Sequence, residues 1–185
     1  MINEPLLRSL LFIPGNQPKM LAKAFSVYPD AFVLDLEDSV PISEKKNARE
    51  IVMEHIHKIR KTDILIIPRV NSLSTEFIDD DLSAVVGPEI WGISVGKISS
   101  PEDLIVLDQK ISKLEKKCGI EVGKIRLLAW LETVSGIVNS HQICQSNDRL
   151  AAVCFGAEDY TNDMEIPRHT TSLLVDNPSL AYPRT

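Results

Sequence analysis

The residues of this sequence best suited to chemistry are acids that follow apolar runs. Glu132 comes directly after the run that ends at Leu131, and Asp159 lies shortly past Phe155 with Glu158 beside it. Two carboxylates held together are a fair ligand set for Mg2+, which takes one or two carboxylates and completes its octahedron with water and substrate. The alternative is that they are ordinary loop acids. Glu158 and Asp163 compete for the same duty, so spacing alone does not fix the pair. Arg69 closes the otherwise apolar run Ile64-Leu65-Ile66-Ile67-Pro68. A guanidinium there costs free energy unless it meets a partner, and it can grip a carboxylate through two parallel hydrogen bonds. That carboxylate is either a substrate's or an internal one, from Asp35 or Glu37. Asp35, Glu37 and Asp38 stand together at the end of another apolar run, and strand alternation puts Asp35 and Glu37 on one side. Acids this close need a cation, a proton or an arginine nearby. Arg49 and Lys46, in the segment that follows, are candidates for that structural duty.

Other chemistries are not written in the sequence. Pro14-Gly15-Asn16 is one turn with a single glycine, and no G-x-G-x-x-G, phosphate loop or G-x-S-x-G elbow occurs. Ser135-Gly136 can open a helix whose N–H groups face an anion, a weak signal by itself. Trp91 and Trp130 read as core. His55, His57, His141 and His169 lack metal-type spacing, and so do Cys118, Cys144 and Cys154. Three separated thiols without a CxxC pair read as reduced, in a cytoplasmic setting.

The elements that must position these groups alternate. Short apolar runs at 9–13, 31–36, 64–69, 90–95, 126–131 and 151–155 predict strands buried on both faces. Amphipathic stretches at 17–27, 43–60, 79–86, 101–117 and 134–145 predict the helices between them. The fourth helix has Ser100 placed to cap, Pro101 at its first position, acids in its first turn, and lysines before Gly119 at its end. Strands joined by such crossovers form a parallel sheet, open or closed. Successive strands deliver Asp35, Glu37 and Asp38, then Arg69, Lys97, Glu132, and Glu158 with Asp159 to the same end, which favours a β/α barrel over a sheet with one switch point. A full barrel needs roughly 200 residues or more. The expectation is a single barrel domain over 1–185 with six β/α units, two short of complete.

Composition narrows the partners. The 185 residues are 44% hydrophobic and 25% charged, with a net charge of −6. No basic run suits nucleic acid, and no stretch approaches the ~20 apolar residues of a membrane span. The start, Met1 to Pro5, lacks the pattern of a secretory leader, which again favours the cytoplasm.

Six blocks together resemble one family. Arg8-Ser-Leu-Leu-Phe-Ile-Pro-Gly15 and Asp30-Ala-Phe-Val-Leu-Asp-Leu-Glu-Asp38 are similar to the opening of the citrate lyase beta subunit and its relatives. The likeness continues through Lys45…Ala48-Arg49, Pro68-Arg-Val-Asn71, Leu131-Glu-Thr-Val-Ser-Gly136 and Phe155-Gly-Ala-Glu-Asp-Tyr160, in the family's order. The family is the HpcH/HpaI aldolase and citrate lyase superfamily. The resemblance implies a TIM barrel of the phosphoenolpyruvate/pyruvate type that binds Mg2+ and cleaves or forms carbon–carbon bonds in acyl-CoA esters such as citryl-CoA or malyl-CoA. It implies Glu132 and Asp159 as metal ligands, and Arg69 as the grip on a substrate carboxylate. Glu132 would also touch substrate, and Asp35, Glu37 or Asp38 would serve as acid or base. Backbone N–H groups near Ala157 and Glu158 would add donors, and a trimer-like homo-oligomer is expected. Two departures stand out. Where the family reads Pro-Lys with an acid two residues on, this chain reads Gly96-Lys97-Ile98-Ser99. Asn177 to Arg184 resembles the approach to a further long helix that Pro183 interrupts, so the last two β/α units and a C-terminal catalytic segment are expected to be absent. The alternative function is a binding protein or subunit that keeps the metal and 2-oxo-acid site without the chemistry.

Overall fold

Strand β2 (Ala31–Asp35) is buried at all five positions, as a strand must be when helices cover one face and more sheet curls over the other. The computed structural model describes residues 5–24, 26–59, 63–166 and 183. Around β2 lie β1 (Leu10–Pro14), β3 (Leu65–Ile66), β4 (Arg69–Val70), β5 (Gly92–Val95), β6 (Arg126–Leu131) and β7 (Leu150–Phe155). All pairings are parallel, in the order β1-β2-β4-β5-β6-β7, with β3 also on β2. The strand expected over 64–69 is therefore two short pieces on one line. Pro68 has no N–H to donate and splits them, but its carbonyl still accepts from Ser94 N at 2.9 Å. Among the described residues β1 and β7 do not pair, so this part of the sheet is an open arc.

Helices α1 (Pro18–Ala24), α2 (Lys45–Ile59), α3 (Ile78–Val85) and α4 (Pro101–Lys117) pack on the outer face. Phe32, Leu34 and Leu36 meet Val52, Ile56, Leu82, Leu104 and Ile111 there. The inner face is a second layer, where Ala31, Ile67 and Leu128 pack with Leu10, Leu65, Trp91 and Ala152. One step nearer the strands' C-terminal ends, Phe12 and Trp130 meet edge to face at 5.8 Å, and Trp130 Nε1 donates to Ser94 Oγ at 2.8 Å. The helix start at Ser100 is a capping box with Asp103, whose Oδ2 also accepts from Ser99 N at 2.8 Å.

Two further expectations are revised, and one helix is added. The helix expected over 134–145 is two, α5 (Val134–Val138) and α6 (Ser140–Gln145), broken at Asn139, which donates through Nδ2 to Ser99 O at 2.9 Å. Residues past the last strand form α7 (Ala157–Asp163), whose AEDYTND sequence has no apolar stripe to announce it. Arg49 and Lys46 do not serve the Asp35 cluster. Arg49 pairs with Asp81 at 2.7 Å and Asp80 at 3.3 Å, and Lys46 is exposed. The expectation for 177–184 lies outside the described residues, apart from Pro183.

At the sheet's other end, Arg149 is buried in a cradle of Glu115, Asp108 and Ser112. Its guanidinium donates to Glu115 Oε1 at 2.9 Å and Oε2 at 2.7 Å, a bidentate pair that ties β7 to α4. Among the described residues no helix is long and apolar enough to cross a membrane.

Candidate active site

The register places Pro14, Asp35 and Arg69 side by side at the C-terminal ends of their strands. Arg69 donates through Nε to Asp35 Oδ1 at 2.8 Å and through Nη2 to Oδ2 at 2.5 Å. Its third edge, Nη1, lies 3.2 Å from Glu37 Oε2 and 3.1 Å from Asp38 Oδ2, and its plane sits over Phe12 at 5.3 Å. Asp35 also accepts from Glu37 N at 2.8 Å and Ser39 Oγ at 2.6 Å. Burial works against the Asp35 anion, but Arg69's bonds outweigh it, so the carboxyl titrates below the ordinary range. The internal partner foreseen for Arg69 is thus present, and Nη1 is the edge turned to the exposed Asp38.

Asn71, two residues on, holds this strand end in place. Its N and Nδ2 donate to Asp81 Oδ2 at 2.9 and 2.5 Å, and Nδ2 also reaches Leu36 O at 2.9 Å. Lys45 closes the underside, with Nζ donating to the carbonyls of Leu36 at 2.7 Å and Glu37 at 2.6 Å.

Beyond β5 the chain turns through Lys97 at φ 59°, a left-handed conformation uncommon for a non-glycine residue. The turn aims the Lys97 N–H at Glu132 Oε1, 2.9 Å away. Lys97 Nζ lies 3.1 Å from Glu37 Oε1, 3.1 Å from Asp159 Oδ2 and 3.8 Å from Asp38 Oδ1. Glu132 is buried between two glycines, and a Cβ on Gly96 or on Gly156 would collide with its carboxylate. Burial, with the neighbouring charges of Glu37 and Asp159, pushes the Glu132 carboxyl up to about 7. Burial and the Asp38 charge likewise raise Glu37. For Lys97, burial disfavours the ammonium, but the carboxylates of Glu37 and Asp159 prevail and raise it.

Asp35, Glu37, Asp38, Glu132 and Asp159, expected from the sequence, therefore stand in one cluster with Arg69. The rival acids fall elsewhere: Asp163 accepts from Val134 N at 2.7 Å, and Glu158 is exposed. Of the N–H groups in the Ser135-Gly136 reading, that of Gly136 is taken by Thr133 Oγ1 at 3.0 Å. Lys97 at the centre of the cluster was not foreseen as its organiser. Its one sequence signal was a lysine directly after a strand and a glycine.

The donor set suits a divalent metal. Five carboxylates share Arg69, Lys97 and Lys45, and Glu37 Oε2 is buried yet accepts no hydrogen bond. Among the described residues no three histidine, cysteine or acid side chains close around a single point. Mg2+ asks for less, since one or two carboxylates suffice when water and substrate fill its remaining positions.

Residues 8–176 match the HpcH/HpaI aldolase/citrate lyase family. The chain belongs to that family. Citrate lyase subunit beta of Haemophilus influenzae is 36% identical over 163 residues, which is 88% of this chain and 56% of that protein. This chain spans little more than half the length of that relative. Haloferax volcanii malate synthase, solved as a lead(II) complex, superposes with a TM-score of 0.79 at 20% identity, over 89% of this chain and 54% of that one. The citrate lyase beta subunit from M. tuberculosis, complexed with oxaloacetate and magnesium, superposes with a TM-score of 0.69 at 23% identity, over 89% and 66%. These likenesses make the fold TIM-barrel-like.

Proposed function

We propose that this chain carries the metal and carboxylate site of a Mg2+-dependent carbon–carbon lyase acting on acyl-CoA esters of the citryl-CoA or malyl-CoA type. The observation that supports it is the gathering, at the strand C-termini, of the buried Glu132 just past β6, the part-buried Asp159 on α7 and an arginine on β4. In this reading Glu132 and Asp159 hold the metal, which supplies Lewis acidity and a template for the 2-oxo acid. Arg69 presents Nη1 to the substrate carboxylate. Asp35 holds that guanidinium in plane by accepting from its other edge. Cleavage needs a base for the substrate hydroxyl and an acid for the thioester enolate. Of Asp35, Glu37 and Asp38, Glu37 is the best placed to exchange a proton, being buried with Oε2 free of hydrogen bonds.

The test is isothermal titration of the full chain with Mg2+ and oxaloacetate or glyoxylate, run beside an acyl-CoA cleavage assay. Mg2+-dependent cleavage that disappears in Glu132→Gln is the expected result. Binding without turnover would favour the second reading, a metal- and 2-oxo-acid-binding chain without chemistry. The observation behind that reading is that Asp35 already occupies two of Arg69's edges. Assembly as a homo-oligomer, trimer-like as in the family resemblance, and a cytoplasmic setting complete the proposal. Solution mass tests the first.

A further inference from the structure

We infer that Lys97 is a resident counter-ion of the carboxylate cluster, which a divalent cation displaces from Asp159 as it binds. The inference rests on the reading of Glu132 and Asp159 as metal ligands. Lys97 touches both, Glu132 through its backbone N–H at 2.9 Å and Asp159 through Nζ at 3.1 Å. An ammonium on Asp159 stands where a ligand atom would otherwise face the metal, so both cations cannot take that carboxylate oxygen at full strength. The left-handed turn at Lys97 is what brings one residue to both acids, and Gly96 leaves the room that Glu132 and Glu37 fill.

Two further features give the ammonium somewhere to go. Lys97 borders a cavity of about 370 Å³ lined by the hydroxyls of Ser72, Ser74, Ser99 and Thr133. Ser99 stands two residues after Lys97, and its Oγ donates to Lys97 O at 3.2 Å and meets Thr133 Oγ1 at 3.1 Å. Hydroxyls accept without charge, and Asp103, which also lines the cavity, already accepts from the N–H groups of Ser99 and Ser100, so the cavity can hold a displaced ammonium. Glu37 Oε1, 3.1 Å from Nζ, is the partner that ties the ammonium to the cluster apart from Asp159. Lys97 is thus a positioning residue: it holds like charges together before metal arrives and sets how tightly metal is held.

Direct titration of Mg2+, repeated with Mn2+, into the full wild-type chain, Lys97→Met, Lys97→Gly and Lys97→Arg tests this without any assay of turnover. Lys97→Met and Lys97→Gly are expected to bind Mg2+ at least tenfold more tightly than wild type, and to gain more in melting temperature from it. Lys97→Arg, which keeps the charge, is expected to stay within about threefold of wild type. Glycine suits the φ of 59°, so that variant guards against a misfolded Lys97→Met. Wild type that binds Mg2+ as well as or better than both neutral variants would overturn the counter-ion role. Absence of binding in all four chains would instead remove the metal reading beneath it.

Discussion

Arg69 shows how much one side chain here depends on its shape as well as its charge. Lysine in its place keeps the charge but cannot span Asp35 Oδ1 and Oδ2 while facing Glu37 and Asp38. Arg69→Lys is therefore expected to lower oxaloacetate affinity by tenfold or more while Mg2+ binding stays within about threefold, read by titrating each in turn. Gly156 is as demanding in the opposite sense, because the space for a Cβ is already filled by Glu132. Gly156→Ala is expected to cost about 1–3 kcal/mol in urea unfolding, as overpacking does, and to weaken Mg2+ binding by moving Glu132. The candidate acids were legible because each follows a strand. Which of them converge was not, since Glu158, Asp159 and Asp163 differ only in which way α7 turns them.

Between elements, two buried ionic ties fix the frame. Asp81 is wholly buried and accepts from Asn71 and Arg49, so it joins α3 to β4 and α2 beneath the site. Glu115 does the same at the far end, with Arg149. Neutralising Glu115 leaves the buried Arg149 with Asp108 as its remaining anionic partner, and Glu115→Gln is expected to cost roughly 3 kcal/mol at neutral pH. Burial alone would raise the Glu115 carboxyl, but Arg149 and the N–H groups of Ile125 and Gly123 outweigh burial and lower it. A carboxyl depressed by folding stabilises the protein fully above its unfolded pKa, roughly 4.3, and loses that contribution as pH falls through the folded one. The gap in urea midpoint between wild type and Glu115→Gln is thus expected to be constant from pH 8 to 6 and to narrow below pH 4. A gap independent of pH would contradict this account of the pair.

For the molecule as a whole, ligand linkage is the most direct measure. A ligand that binds only the native state adds about 2.7 kcal/mol at a hundred times its dissociation constant. For a chain of this size, Mg2+ with oxaloacetate at that excess is expected to raise the melting temperature by about 5–10 °C. Glu132→Gln is expected to lose most of that rise. An unchanged melt in wild type would count against the site.

Six apolar runs spaced by amphipathic helices determined a parallel β/α arrangement, because no other pattern buries both faces of every strand. The motif blocks determined the family, and the strand ends told where acids and Arg69 would gather. Tertiary structure decided what adjacency means there. Arg69 meets Asp35 because register sets them level, a relation between positions 34 apart that no local pattern records. Lys97 became the hub through one left-handed turn and two glycines, and Arg49 went to Asp81 because α2 packs on α3. Hydrophobic periodicity is a property of each segment and survives in the sequence. The pairing of charges is a property of distance, and distance exists only once the segments have packed.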